Sequence, residues 1–257
     1  MEKGPLISIL IPCYSRQEQL DVVLPLWLAQ KDINFEVCVG AGPSIKVEES
    51  YRNPVVKRIP LNMDKFGLCK AYNKLINSAK GDLLLITQCD IKATSPHNIK
   101  NMLDKWRPRW IVNENMYNNG KKKLGLYLQC TLVEKSAVEK IGGFCELFDD
   151  NRVSAYEDGD VMASLFERGY RLTWNESEEG KGVEHMPHER PDYKNHPVWK
   201  WKVENAKKLY FERHNRDFVK CAWASQFATY FRKIGRLKEI EETENKLGVE
   251  GSFDIAL

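Results

Sequence analysis

Apolar residues in the first ninety positions fall into short continuous runs, separated by segments of helical spacing. Four runs are predicted to form strands: Leu6–Ile11, Phe35–Val39, Val55–Ile59 and Asp82–Cys89. The first of them has the composition of a buried parallel strand. Between them, segments 16–30 and 68–79 repeat apolar residues at the spacing of a helix. Strands that alternate with helices favour a mostly parallel sheet with helices on both faces.

The second half of the chain mixes strand and helix signals. Three strands are predicted: 110–113, 124–132 and 170–174. A polar turn is expected at 115–123. Three helices are predicted: 134–141, 158–168 and a segment beyond Pro197.

The domain organisation follows from the change of pattern along the chain. We expect an α/β domain over residues 1–193, with 1–92 and 93–193 as its two halves. The remaining residues, 194–257, are predicted to form a basic helical extension.

Composition limits the class of protein. At 257 residues, with 42% hydrophobic and 29% charged side chains, the chain is expected to be soluble and globular. It has no run of about 20 apolar residues, the length that a membrane span requires, and its first residues lack the pattern of a signal peptide. The seven cysteines include no Cys-x-x-Cys pair, which favours free thiols in a reducing compartment, hence the cytoplasm.

Positive charge is concentrated near the C-terminus, although the net charge is only +3. Between Lys194 and Lys238, twelve Lys or Arg residues stand against three acidic residues. Such a stretch is either a solvated helical face or a patch for an anionic partner. The second interpretation predicts an anionic acceptor, or docking at the periphery of a membrane, through residues 194–238.

Acidic and histidine residues suggest the chemistry. Asp90 follows a buried strand, Glu157–Asp160 contains three acids in four positions, and His185 and His188 lie further along. A carboxylate at a strand end and a distant His can hold a divalent cation, while a second acidic cluster can supply a general base. This combination predicts transfer chemistry on a metal-bound phosphate ester.

The ligand types indicate which cation is expected. Oxygen ligands suit Mg²⁺ or Mn²⁺, and an imidazole in the coordination sphere favours Mn²⁺. Asp90 and His188 are the predicted ligands, with His185 as the alternative to His188. Without further information, each His could equally be a surface loop residue. Arg16, Asn62 and Lys65 are predicted to contact the phosphates, because cations and amides at strand ends can meet phosphate oxygens.

Five motifs follow one another in a recognisable order: Ile9–Arg16, Asn62–Asp82, Thr87–Asp90, Ile141–Phe148 and Glu157–Asp160. Together they resemble the nucleotide-sugar-dependent glycosyltransferases of GT-A fold, family-2 type, over roughly residues 5–190. Glu157–Asp160 followed by His188–Arg190 is also similar to the β-1,4-galactosyltransferase-like branch, in which a His after the motif ligates manganese.

The resemblance implies a Rossmann-like GT-A fold and assigns roles to several residues. Residues 1–92 would bind the nucleotide-sugar, and 93–193 would carry the acceptor site and the catalytic residues. The expected donor-binding residues are Pro12, Tyr14, Arg16, Asn62, Lys65 and Asp90. Asp158 matches the general base of the family, and Glu157 and Asp160 would orient acceptor hydroxyls and the start of the helix.

Two positions depart from the family pattern. Gln88 stands where the family has the first Asp of its metal motif, so a pair of carboxylates is missing there. Gly40–Ser44 replaces the usual Asp-Asp-Gly-Ser after the second strand, so the Asp that normally meets uracil is absent.

The expected activity is an inverting, divalent-metal-dependent transfer of a hexosyl or N-acetylhexosaminyl group. The donor would be a nucleoside-diphosphate sugar, with UDP favoured, and the acceptor a hydroxyl of a carbohydrate, a lipid-linked sugar or another molecule. Two alternatives stay open. One is a catalytically inactive GT-A-fold protein that binds a sugar or nucleotide, and the other is a nucleotidyltransferase, although Pro12–Arg16 is not the Gly-rich loop expected of that class.

Overall fold

The structure is a computed structural model that describes residues 4–47, 55–61, 67–118, 121–123, 128–151, 156–175, 182–186 and 197–214. The strands in these ranges are β1 (Leu6–Cys13), β2 (Asn34–Ala41), β3 (Val56–Pro60), β4 (Leu83–Thr87), β5 (Ile91–Ala93), β6 (Trp110–Glu114), β7 (Met116–Asn118), β8 (Lys121–Lys123), β9 (Cys130–Glu134), β10 (Arg171–Asn175) and β11 (Val183–His185). The helices are α1 (Gln17–Leu28), α2 (Leu68–Ser78), α3 (Asn98–Lys105), α4 (Lys135–Lys140), α5 (Glu157–Glu167) and α6 (Pro197–His214), with a 3-10 helix at Glu146–Asn151.

The larger sheet has the strand order β3-β2-β1-β4-β9-β6-β10. β9 is antiparallel to both of its neighbours, and the other adjacent strands are parallel. In the centre, Ile9 of β1 pairs with Val37 on one side and Leu85 on the other. The predicted mostly parallel sheet is confirmed.

Helices cover both faces of this sheet, because the apolar residues of the central strands point alternately to each side. On one face Leu10 and Leu84 pack with residues of α2, α4, α5 and α6. On the other face Ile9 and Leu85 pack with residues of α1 and α3. The edge of the sheet at which β1 and β4 end is left for the connecting loops, where ligands of parallel α/β sheets bind.

A second, smaller sheet lies beyond this edge, with the order β5-β11-β7-β8. β5 begins just after Asp90, and β11 runs antiparallel to it with His185 opposite Ile91. The small sheet therefore carries the predicted His185 to the end of β4.

The five predicted helices and most predicted strands match the structure within a few residues, whereas α3, the 3-10 helix, β5 and β11 were not predicted. The prediction for 115–132 is wrong in part. Residues 116–118 and 121–123 form strands of the small sheet where a turn was expected, and the following strand begins at Cys130. Of the predicted extension 194–257, the structure describes α6, and residues 215–257 lie outside the described ranges.

Two further expectations concern absences. The six cysteines in the described part of the chain are free thiols. Searched over the same residues, no helix combines the length and hydropathy needed to cross a membrane.

Candidate functional site

The ends of β1 and β4 bring three predicted residues together. The two strands are parallel neighbours, so the loop after Cys13 and the turn after Thr87 lie side by side. Arg16 Nη1 donates a hydrogen bond to Asp90 Oδ2 at 3.1 Å. His185 Nε2 lies 3.7 Å from the same oxygen. The pairing of Asp90 with a histidine is thus present in the fold, with His185 as the histidine.

The burial of Asp90 and His185 fits a site for a cation. Their side chains are 7% and 6% exposed, and the backbone N–H of Met186 donates to the Asp90 carbonyl at 2.8 Å, which fixes β11 against the turn. Two ligand atoms that each lie about 2.1 Å from one ion are about 3 Å apart at right angles. A carboxylate oxygen and an imidazole nitrogen 3.7 Å apart are therefore close to a shared position.

The donor set here is incomplete by itself. Among the residues that the structure describes, no three His, Cys, Asp or Glu side chains gather as a metal site. His188, Asn62 and Lys65 lie outside the described ranges. A divalent ion at Asp90 and His185 would need further ligands from water, from phosphate oxygens or from residues that are not described.

The second acidic group begins α5. Tyr156, just before the helix, adopts a left-handed backbone with φ of 70°. Glu157 is buried, Asp158 is half-buried, and the Asp158 carboxylate accepts a hydrogen bond from the Gly159 N–H at 2.8 Å. Carboxylates in the first turn of a helix are also stabilised by the helix dipole.

Burial changes the acid strength of this pair. Burial, together with the neighbouring Asp158 carboxylate, raises the pKa of Glu157 to about 8. Burial also raises the pKa of Asp158 to about 6, against the hydrogen bond from Gly159. At neutral pH the pair therefore holds one proton, mainly on Glu157, and Asp158 is the ionised member.

Tyr72 of α2 connects the two acidic positions. Its hydroxyl donates to the carbonyl of Thr87, at the end of β4, at 2.9 Å. Burial raises the pKa of the Tyr72 phenol well above its usual value, and the charges of Glu157 and Asp90 act in the same direction. The charges at the start of α5 and just after β4 therefore both act on this buried phenol, although the two acids are far apart in the sequence.

Asp160 has a different environment from the other two acids. Its side chain is 1% exposed, and its Oδ1 is bonded by Arg213 Nε at 2.5 Å and by His214 Nε2 at 2.8 Å. Both partners belong to the last turn of α6. Sequence reasoning missed these two residues, because they lie in a basic stretch in which no single residue is distinguished.

The remaining motif residues build the support of the site. Asn73 exchanges hydrogen bonds with the backbone of Phe144, its Nδ2 donating to the carbonyl at 2.9 Å and its Oδ1 accepting from the N–H at 2.8 Å. Asp149 accepts hydrogen bonds from the backbone N–H groups of Cys69 and Lys70 in the first turn of α2. These contacts join the motif at 141–148 to α2.

The predicted donor-binding turn is closed by a glycine that sequence reasoning did not single out. Pro12 pairs with Gly40 at the end of β1, and the Gly42 N–H donates to the Cys13 carbonyl at 2.9 Å. A Cβ atom on Gly42 would lie 1.9 Å from the carbonyl oxygen of Tyr14. Glycine is therefore required where the loop after β2 approaches the loop after β1.

Sequence comparison gives no relative: no protein-family model and no curated protein matches this chain. Structural comparison finds solved proteins of similar fold. The fold is similar to that of the mannosyltransferase PcManGT from Pyrobaculum calidifontis, solved in complex with GDP-Man and Mn²⁺, with a TM-score of 0.60 and 14% identity over 84% of this chain and 67% of that one.

It is also similar to S. aureus TarS 1-349 in complex with UDP-GlcNAc, with a TM-score of 0.63 and 15% identity over 83% of this chain and 66% of that one. The chain thus spans about two thirds of the length of each of these structures. The mostly parallel sheet flanked by helices is the fold of the GT-A glycosyltransferases.

Proposed function

We propose that this protein is a glycosyltransferase that uses a nucleoside-diphosphate sugar. The observation that carries the proposal is the arrangement at one sheet edge, where Asp90, His185 and Arg16 meet at the ends of β1 and β4. Burial raises the pKa of the Tyr72 phenol, and the charges of Glu157 and Asp90 add to that shift, which supports the two acids acting in one region. The neighbours with bound GDP-Man and UDP-GlcNAc support a donor of this class.

On the donor side, Asp90 and His185 are the residues that would hold a divalent cation, with Mn²⁺ preferred over Mg²⁺ because of the imidazole. When bound, such an ion supplies Lewis-acid stabilisation to the diphosphate leaving group. Arg16 would contribute positive charge to the same diphosphate, and Pro12 and Tyr14 would shape the turn that receives it. Asn62 and Lys65 remain proposed phosphate contacts.

On the acceptor side, Asp158 is the proposed general base. Its raised pKa of about 6 leaves it ionised at neutral pH and still basic enough to take a proton from a hydroxyl. Glu157, whose pKa is near 8, is protonated there and can donate a hydrogen bond to the acceptor. A single displacement with one base inverts the anomeric configuration, so an α-linked donor would give a β-linked product.

The finer assignments are also proposals. We favour a UDP-linked hexose or N-acetylhexosamine as donor and a carbohydrate, lipid-linked or other hydroxyl as acceptor, with action in the cytoplasm or at a membrane surface. Exposed Lys207 and Lys208, with exposed Trp201, give α6 a surface that could meet an anionic acceptor or membrane. Binding of that kind would weaken steeply as salt is added.

Gln88 favours one alternative, a binding protein that has lost turnover, because a metal-motif carboxylate is absent. The decisive experiment is a panel of nucleotide sugars tested for binding and for hydrolysis, with and without Mn²⁺. The variants are Asp90→Asn and His185→Gln, with Asp104→Asn, an exposed acid on α3, as the control.

If the protein is a glycosyltransferase, we expect it to turn over at least one donor. This turnover should require Mn²⁺, be lost in both site variants and be retained in the control. If the wild type binds a donor but does not turn it over, with or without an acceptor, the result would favour the binding protein. No binding of any donor would contradict both.

A further inference from the structure

The last turn of α6 contacts both the first and the last turn of α5. Arg213 and His214 bond Asp160 in the first turn of α5, and His214 Nδ1 lies 3.1 Å from Glu167 Oε1 in its last turn. Asp160 and His214 are 1% and 3% exposed at their side chains. A carboxylate at such a depth is costly unless it is paired and hydrogen-bonded, so α5 keeps its position only with α6 beside it.

A second contact reaches the residue on the other side of the acidic pair. The ring of Tyr210, which is buried, lies 5.9 Å from the ring of Tyr156 and 4.6 Å from the imidazole of His214. Tyr156 immediately precedes Glu157, and its carbonyl accepts the backbone hydrogen bond of Asp160 at 2.8 Å. α6 therefore contacts the chain on both sides of Glu157 and Asp158, at Tyr156 and at Asp160.

The backbone at the first of these two contacts, Tyr156, has an unusual conformation. Tyr156 has a φ of 70°, in the left-handed region that bulky residues rarely occupy. A conformation of this kind costs free energy and persists only when the surroundings enforce it. The tilted contact of the Tyr210 ring with Tyr156 on one side and the pairing of Asp160 on the other are such surroundings.

We propose that α6 is a positioning element for the acceptor half of the reaction, in which Arg213 and His214, through Asp160, set the place of Asp158. The inference rests on the proposed function, since it takes Asp158 as the base. It predicts a separation of effects, because the donor-side residues lie elsewhere in the fold: Arg16 follows β1, Asp90 follows β4 and His185 ends β11. Loss of the α6 contacts should lower turnover and leave donor affinity unchanged.

The test uses the full chain and three single variants. Arg213→Gln and His214→Gln each remove one partner of Asp160, and Glu204→Gln changes an exposed acid of the same helix. We expect kcat for sugar transfer to fall about 10- to 100-fold in the first two, the effect of a misplaced catalytic group. The donor Kd, measured by calorimetry with the donor found in the panel, should change less than about twofold. Glu204→Gln should match the wild type.

Arg213→Lys is the conservative variant. It keeps the charge but loses the two-pronged contact with Asp160, so it should recover part of the turnover lost in Arg213→Gln. It also keeps the test decisive if Arg213→Gln does not fold. Unchanged kcat per folded molecule in Arg213→Lys and His214→Gln would overturn the proposal, as would a loss of donor affinity equal to the loss of turnover.

A second measurement separates this proposal from the function on which it rests. Amide hydrogen exchange over 156–160 should accelerate in Arg213→Gln and His214→Gln relative to Glu204→Gln, whether or not a donor has been identified. If the wild type showed no transferase activity, the proposed function alone would be contradicted. The exchange result would then decide whether α6 holds residues 156–160 in place. Unchanged exchange in both variants would overturn the positioning role.

Discussion

At the scale of single residues, burial separates the chemistry of two adjacent acids. Glu157 and Asp158 occupy the same helical turn, yet the pKa of the first is raised to about 8 and that of the second to about 6. Paired carboxyls whose acid strengths are separated by their surroundings can act as one proton donor and one acceptor. Neighbouring positions thereby have different roles at neutral pH.

This difference predicts the pH dependence of turnover. Below about pH 6 Asp158 is protonated and cannot accept a proton, so kcat/KM should rise with pH through about 6. Above about pH 8 Glu157 loses the proton with which it would hydrogen-bond the acceptor, so kcat/KM should fall again there. Asp158→Asn should lower kcat by about 10²- to 10⁴-fold, the usual contribution of a general base. Initial rates across pH 4.5 to about 9 measure both effects.

The control for this prediction is Asp104→Asn, which changes an exposed acid on α3 and should leave the profile unchanged. Wild-type turnover in Asp158→Asn, or an acidic limb that persists in that variant at its residual rate, would assign the base to another residue.

At the scale of elements, the strands that the sequence predicts best are those buried on both faces. β1, β2 and β4 are mostly apolar runs, and a run of that kind and length rarely forms anything other than a buried strand. β7 and β8 were missed because each has three residues, and Lys121–Lys123 has the composition of a turn. Their existence depends on pairing with β11, which lies about sixty residues further on and leaves no local pattern.

The candidate site shows the same division. Asp90 and Glu157–Asp160 are visible in the sequence because charged residues interrupt or directly follow apolar segments. The ion pairs of Asp160 with Arg213 and His214 are not visible, because periodicity carries no information about which of twelve basic residues reaches one acid. The contact of His185 with Asp90 required the small sheet, and so the sequence left His185 and His188 undecided.

The start of α2 allows a test of one long-range support. Gly67, at the N-cap, has no side chain to accept the first N–H groups, and Asp149 of the 3-10 helix accepts those of Cys69 and Lys70 at 2.9 and 2.8 Å. Asp149→Ala should lower the free energy of unfolding by about 1–2 kcal/mol, the range for the loss of an N-cap.

Urea denaturation measures this loss, with Asp104→Ala as the control because exposed ion pairs contribute less than about 1 kcal/mol. Asp149→Asn should lose less than Asp149→Ala, since one acceptor oxygen remains. Equal stability of Asp149→Ala and the wild type would mean that water replaces the cap.

At the scale of the whole molecule, the contacts of α6 bear on where the folded unit ends. The sequence places a boundary near residue 193, whereas Ala206 and Tyr210 of α6 are both 1% exposed and pack in the same apolar cluster as α2, α4 and α5. Removal of a partner from a buried ion pair costs about 3–5 kcal/mol, less here because the Arg213 side chain keeps 35% of its exposure. The burial of Tyr210 adds to this figure.

Those contributions are comparable to the total stability of a typical domain, about 5–15 kcal/mol. We therefore expect a chain that ends at residue 196 to unfold at a much lower urea concentration than one that ends at residue 214, or to be expressed only in insoluble form. The comparison changes α6 alone, so the difference reports on this helix. Equal midpoints for the two chains would support the predicted boundary at 193, and in that case the pairing of α6 with Asp160 would contribute little to the position of α5.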